Sequence, residues 1–313
     1  MKRIRYTALA CALIIIFTFL FSSCAGLRPY AVLHDEFDVY AIAYSEHLFE
    51  IKITSPQGFV YDVKNNCFVF SKGEDKVVYP GSISKLITAL YALSVLSADE
   101  IITAGDELDF VKTGSSIAYI KKGHKLTVRM LVEGMMLPSG NDAAYVLAAA
   151  VGRKIADEDI SAEGALNFFK EGVNNYAKSL GLCGTSITVP DGYADEAHYT
   201  TTEDMAIVAK TAMENPIIAE FAKKFTSDVR YVSGETNTWI NTNKLLDKES
   251  KYFSPYATGL KTGSISGEYS LLFSFRFDDG REYIAGVFGA DEKNIRFRDA
   301  NKIIDYFKDV LSS

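Results

Sequence analysis

Strand-like segments stand at both ends of this chain and helical ones fill its middle, an order that restricts its possible folds more than any other feature of the sequence. Near the start, residues 59–63 and 67–70 are apolar runs on either side of Lys64-Asn65-Asn66, the pattern of a β-hairpin. Near the end, residues 269–277 and 282–288 flank Asp278-Asp279-Gly280, whose Asp-Gly step is a strong hairpin signal. Between them, helical spacing runs from Ser82 to about Leu96, with Leu86, Leu90, Leu93 and Leu96 on the buried side. It returns over 127–151, where Thr127 is a plausible N-cap and Pro138-Ser139-Gly140 breaks the pattern. Residues 165–180 and 202–213 are helical too, the second opened by Thr200 and Glu203 as a capping box. An amphipathic helix over 302–311 closes the chain. Strands at both termini must meet to form one sheet. The fold class expected is therefore α+β, an antiparallel sheet flanked by helices, with a helical subdomain inserted between its halves.

The first residues follow another logic. Lys2, Arg3 and Arg5 precede an apolar run from Ala8 to Phe21, and small residues follow it. This is the layout of a secretory signal, assigned to residues 1–23. The run is shorter than the roughly 20 residues of a spanning helix, although an uncleaved anchor is the competing reading. Phe21-Ser22-Ser23-Cys24 resembles a bacterial lipoprotein box, in which Cys24 is lipidated and becomes the new N-terminus; the Phe stands where Leu is usual. Ser23-Cys24-Ala25 also suits ordinary cleavage before Gly26. Residues 24–55 are expected to be a spacer with some strand character, and 56–313 the functional domain.

Charge and metal-ligand spacing exclude several functions. Residues 1–23 hold three basic groups and no acid, so the rest has 30 basic residues against 40 acidic ones, a formal charge of −10. Such a body suits neither nucleic acid nor electrostatic docking on anionic lipid. Of the four cysteines, only Cys67 and Cys183 lie in the body, and so distant a pair is more often two thiols than a bridge. His34, His47, His124 and His198 show no metal-site spacing, so no metal is expected.

Acyl transfer needs a nucleophile, a base and donors for an oxyanion. The chain has no Gly-x-Ser-x-Gly elbow, but it has Ser82-Ile83-Ser84-Lys85. At helical spacing, positions i and i+3 share a face, so Lys85 can reach the Ser82 hydroxyl. A helix N-terminus there favours an alkoxide and disfavours a protonated Lys85, and burial lowers the amine further. Alone, Ser-x-x-Lys describes equally well a capped helix with a surface lysine. Here Ser139-Gly140-Asn141 and then Lys261-Thr262-Gly263 follow it.

That ordered trio resembles the signature of penicillin-binding proteins and class A β-lactamases. The flanks, residues 80–90 and 131–144, are similar to those of D-alanyl-D-alanine carboxypeptidases, as are Pro190-Asp191-Gly192, His198-Tyr199-Thr200-Thr201 and Asp204-Met205-Ala206. The likeness runs from about Gly58 to Leu311. It implies the β-lactamase and D,D-peptidase fold, and hydrolysis of the terminal D-Ala-D-Ala bond of peptidoglycan stem peptides, with β-lactams as inhibitors and no cofactor. It also implies residue roles. Ser82 attacks, Lys85 takes its proton and Ser139 passes a proton towards the leaving amine. Asn141 holds the acyl-side amide of the substrate and helps fix Lys85. Lys261 supplies positive potential and Thr262 binds the terminal carboxylate. Gly263 allows close approach to the substrate, and the N–H groups of Ser82 and Ser264 form the oxyanion hole. The family often carries an aromatic residue or His where Ser264 stands, and many members have a C-terminal β-rich domain, which is not expected here.

Two patterns compete with these assignments. Lys112-Thr113-Gly114 is a second Lys-Thr-Gly, but it is out of order and precedes no hairpin. Glu163-Gly164-Ala165-Leu166-Asn167 mimics the Glu-x-x-Leu-Asn loop that drives deacylation in class A β-lactamases. It runs straight into an apolar helical pattern, as an acidic residue in a first helical turn does. The rival functions are a β-lactamase and a non-turnover penicillin sensor or wall-binding module.

Overall fold

The two ends of the chain build one seven-stranded sheet in the computed structural model, which describes residues 27–33, 39–74, 76–193 and 196–310. Its strands are β1 (Leu27–Leu33), β2 (Val39–Ser45), β3 (Gln57–Asp62), β4 (Cys67–Lys72), and, from the other end, β9 (Ala257–Ile265), β10 (Glu268–Arg276) and β11 (Glu282–Ala290). The order across the sheet is β1-β2-β4-β3-β11-β10-β9. All neighbours are antiparallel except β2 and β4, joined in parallel at Tyr44 and Phe68. The two predicted hairpins are β3–β4 and β10–β11. Two short pairs lie apart, β5 (Ile101–Thr103) with β6 (Lys125–Thr127) and β7 (Thr226–Arg230) with β8 (Thr236–Ile240).

Among the described residues seven α-helices complete the fold: α1 (Lys85–Val95), α2 (Val128–Met136), α3 (Asn141–Ala156), α4 (Ala162–Ser179), α5 (Thr202–Glu214), α6 (Pro216–Lys223) and α7 (Ile295–Val310). The sheet is covered on both faces, and its strands divide their side chains accordingly. Phe59, Leu272, Ile284 and Phe288 join the core shared with α1–α6. Their sequence neighbours Val60, Leu271, Phe273, Ala285 and Val287 join a second core with Phe297, Ile303, Ile304 and Phe307 of α7. The period of two sends alternate residues to opposite faces, so β10 is a continuous buried run rather than an alternating one. Ile51 and Ile53, ahead of β3, are buried in the second core as well.

Helix ends follow local chemistry. Thr127 accepts from Met130 N at 3.2 Å and caps α2 as expected. The cap of α5 is Thr201, which accepts from Asp204 N at 3.1 Å, one residue later than the sequence pattern suggested. Thr200 is instead held in a bridge to Val78, its hydroxyl 2.8 Å from that of Thr185. The closing helix begins at Ile295, two turns before its amphipathic part becomes legible. Cys67 is buried on β4, Cys183 is exposed, and they form no disulfide. No helix among the described residues is long and apolar enough to cross a membrane. The signal and lipobox at 1–24 lie outside the described residues.

Candidate active site

Pro80 and Gly81 turn the chain out of β4's connection, Gly81 at φ +52°, and residues Gly81–Ser84 form a single 3₁₀ turn before α1 starts at Lys85. Ser82 therefore stands on a tight turn ahead of the α-helix, not in its first turn. The spacing of three still brings Lys85 Nζ to 2.7 Å from Ser82 Oγ. Lys85 is fully buried, and its amine also donates to Asn141 Oδ1 at 2.8 Å and to the Asp191 carbonyl at 2.9 Å. Those two oxygens can only accept. A neutral amine has two N–H bonds and one lone pair, so satisfying both carbonyls leaves the lone pair for the Ser82 hydroxyl. Burial lowers Lys85 to about 8, against the upward pull of the Asp191 and Asp142 carboxylates.

Ser139 comes from the α2–α3 connection and Asn141 is the first residue of α3. Ser139 has φ +62°, a costly conformation for a non-glycine residue, and it is buried. Its hydroxyl accepts from Lys261 Nζ at 2.8 Å, and Lys261 also donates to the Thr262 carbonyl at 3.2 Å. Lys261 is fully buried; desolvation and the nearby Lys85 and Arg296 charges push its amine well below the ordinary lysine range.

Asp142 braces the facing wall. Its carboxylate accepts from Ala118 N and Ile120 N, while the Ala118 carbonyl accepts from Tyr231 Oη, Asn237 Nδ2 and Trp239 Nε1. The residues leading into that clamped segment line the cleft.

Strand β9 is the terminal strand of the sheet and runs beside the Ser82 turn. Thr262 Oγ1 lies 2.6 Å from Thr242 Oγ1. At Gly263 an added Cβ would meet the Pro80 carbonyl at 2.3 Å and Ile83 at 3.1 Å. Gly263 thus permits a close approach between its strand and the Ser82 turn. Ser264 is exposed in the cleft, and Arg296 of α7 lies beneath it, Nη1 donating to Gly263 O at 2.7 Å, Ser264 Oγ at 3.2 Å and Ser270 O at 3.2 Å.

These groups surround a cleft of about 470 Å³ lined by Ser82, Ser139, Asn141, Thr262, Ser264 and Arg296, and also by Lys244, Asp247 and Lys293. The structure thus gathers Ser82, Lys85, Ser139, Asn141, Lys261, Thr262, Gly263 and Ser264 into one place. The competing Lys-Thr-Gly lies elsewhere in the same cleft: Gly114 lines the wall, and Lys112 sits 4.9 Å over the Tyr193 ring. Glu163 is exposed in the first turn of α4, whose cap is Ser161, and does not line the cleft. Arg296 was missed by sequence reasoning, since one arginine in an amphipathic helix carries no pattern. Asp191 was noticed only as part of a family-like stretch, whereas the structure gives its carbonyl to Lys85. No cluster of metal-ligating side chains occurs among the described residues.

The cleft thus sets a serine hydroxyl 2.7 Å from one buried lysine amine and a second buried lysine on the edge strand, on a sheet covered by helices on both faces. Residues 44–292 match the Peptidase_S11 family, described as D-alanyl-D-alanine carboxypeptidase, and the chain belongs to that family. It is 31% identical over 264 residues to the D-alanyl-D-alanine carboxypeptidase of Streptomyces sp. strain K15, covering 81% of this chain and 87% of that one. It is 29% identical over 247 residues to the carboxypeptidase DacF of Bacillus subtilis, covering 76% of this chain and 58% of the relative. The carboxypeptidase DacC of Escherichia coli is likewise 29% identical, with 56% of its length covered, so the chain spans little more than half of these two relatives. The crystal structure of the Streptomyces K15 DD-transpeptidase superposes with a TM-score of 0.74 at 30% identity, covering 83% of this chain and 98% of that one.

Proposed function

We propose that this chain is an exported serine-type D,D-carboxypeptidase that removes the terminal D-alanine of peptidoglycan stem peptides. The observation that carries the reading is the Lys85 amine, fixed by two carbonyl acceptors so that its remaining position meets Ser82 Oγ at 2.7 Å. In the first step Ser82 Oγ bonds to the penultimate D-alanine carbonyl carbon while its proton passes to Lys85. The oxyanion sits between the backbone N–H groups of Ser82 and Ser264. The C–N bond then breaks, Ser139 passes a proton to the departing amine, and Lys261 beside it holds positive potential. Asn141 receives the acyl-side amide. Thr262 and Ser264, with Arg296 beneath, take the terminal carboxylate. Water then hydrolyses the Ser82 ester, and no cofactor enters. The direct test is D-alanine release from a synthetic acyl-D-Ala-D-Ala peptide: turnover by the wild type and none by Ser82→Ala is expected, and release by both would refute the assignment.

Penicillin should acylate Ser82 and leave slowly. Among the described residues the only acid lining the cleft is Asp247, with no glutamate placed to activate a deacylating water. Glu163→Gln is therefore expected to change neither D-alanine release nor penicillin hydrolysis by more than about twofold, as for an exposed surface substitution. A selective collapse of penicillin hydrolysis would instead favour a β-lactamase.

The substrate lies outside the cytoplasmic membrane, and the basic-apolar-small start provides an export route. Lipidation at Cys24 attaches two acyl chains, each stabilising membrane binding by roughly 0.8 kcal/mol per buried CH₂. Cys24→Ala should move the protein from the membrane to the soluble fraction with activity intact, read by fractionation and N-terminal mass spectrometry. An unmodified N-terminus at Gly26 would rule out the lipoprotein.

A further inference from the structure

The Ser82 turn is weakly fixed by its own backbone. It is a 3₁₀ turn without a side-chain cap, entered through Pro80 and a left-handed Gly81, and Ile83 N reaches Pro80 O at 3.1 Å. What anchors it further is Ser84, whose hydroxyl donates to the Gly81 carbonyl at 2.6 Å and lies 2.7 Å from His198 Nε2. On the ring's other side, the backbone N–H of Thr188 donates to Nδ1 at 3.1 Å. That bond makes Nδ1 the acceptor, so Nε2 carries the proton of the neutral ring and donates to Ser84. Ser84 is fully buried and His198 nearly so. A single directional chain thus runs from Thr188 N–H through the imidazole and Ser84 to Gly81 O.

The two ends of that chain meet again at the base. The loop that begins at Thr188 continues to Pro190, whose carbonyl accepts from Thr88 Oγ1 at 2.8 Å, and to Asp191, whose carbonyl accepts from Lys85 Nζ. At Gly192 the loop touches the nucleophile turn directly: an added Cβ would lie 1.9 Å from Gly81 O and 2.7 Å from Ser84 Oγ. The offset between loop and turn therefore sets the Asp191–Lys85 and Lys85–Ser82 contacts together. His198 is bonded to both pieces.

We propose that His198, acting through Ser84, is a positioning residue for acylation: it locks the 188–192 loop to the Gly81–Ser84 turn and so holds the serine and its base in line. This rests on the reading of Ser82 as nucleophile. It touches no reacting atom.

The test is the time course of labelling by a fluorescent penicillin, resolved into binding constant and acylation rate constant. Rates are normalised to each variant's labelled endpoint, so unfolded protein does not count. The variants are His198→Asn, which keeps an acceptor near Thr188 but loses reach to Ser84, Ser84→Ala, the two combined, and Ser84→Thr, which keeps the hydroxyl. Each of the first two should lower the acylation rate constant about tenfold to a hundredfold, as a misplacement of the reacting groups by a fraction of an ångström to 1 Å does, with binding unchanged. The combined variant should be no slower than the slower single one, because both break the same chain. Ser84→Thr should restore most of the rate. Ser84→Ala removes one atom and keeps the test readable if His198→Asn yields little labelled protein. Normal rate constants in both single variants, losses that multiply in the combined one, or a loss confined to binding would each overturn the proposal. Failure of the wild type to label at Ser82 would overturn the nucleophile assignment and this inference with it, which separates the two.

Discussion

Replacing Lys85 by Arg is expected to slow penicillin acylation by about 10²- to 10⁴-fold, the range ascribed to a positioned general base. Arginine keeps the positive charge but cannot give up its proton at any accessible pH, so it offers no lone pair to the Ser82 hydroxyl. The wild-type pH profile tests the same role without a substitution. Burial lowers Lys85 to about 8. Below that pH the amine is an ammonium with all positions protonated; above it the lone pair is available. The acylation rate should therefore rise with pH through about 8 and then level. Lys261 is also lowered, by desolvation and by the nearby Lys85 and Arg296 charges, so the profile belongs to both amines. Near-normal acylation by Lys85→Arg, or a rate that falls as pH rises through 8, contradicts the assignment.

Gly263→Ala is expected to cost nearly as much, for a reason of packing alone. The new Cβ, held rigidly by its own backbone, would lie 2.3 Å from the backbone carbonyl of Pro80, roughly 1 Å inside a normal contact. Strand β9 and the nucleophile turn must move apart, and a shift of about 1 Å in a reacting geometry costs on the order of a hundredfold in rate. Overpacking of this kind also destabilises by about 1–3 kcal/mol. Labelling kinetics and thermal unfolding measured together should show both losses. Wild-type acylation in the Ala variant would mean that the strand does not depend on this approach.

The constellation was legible in the sequence because its residues sit in short, local motifs. Ser82 and Lys85 are three residues apart, and no tertiary information is needed to put them together. Lys261 owed its assignment to the hairpin that follows it, which made its strand an element of the sheet. The bounds of elements were less legible. The first turns of α7 carry Arg296, Asp299 and a stripe of apolar residues buried under the sheet, and a helix buried on that side lacks a clean polar face. Thr200 and Thr201 are chemically alike, and only the bridge to Val78 decides which is left to cap α5. Arg296 and His198 act through contacts with residues 32 and 114 positions away, and no spacing rule announces such a partner. The approach of Gly263 to the Pro80 carbonyl was not legible, because a backbone group 183 residues earlier in the chain leaves no mark on the residues around it.

The central claim is that Ser82 is the nucleophile. It is tested most directly by treating the protein with benzylpenicillin, measuring its intact mass and mapping the adduct by peptide mass spectrometry. One penicilloyl group on the peptide containing Ser82, and none in Ser82→Ala, is the expected result. An adduct on any other serine, or one that survives in Ser82→Ala, would contradict it.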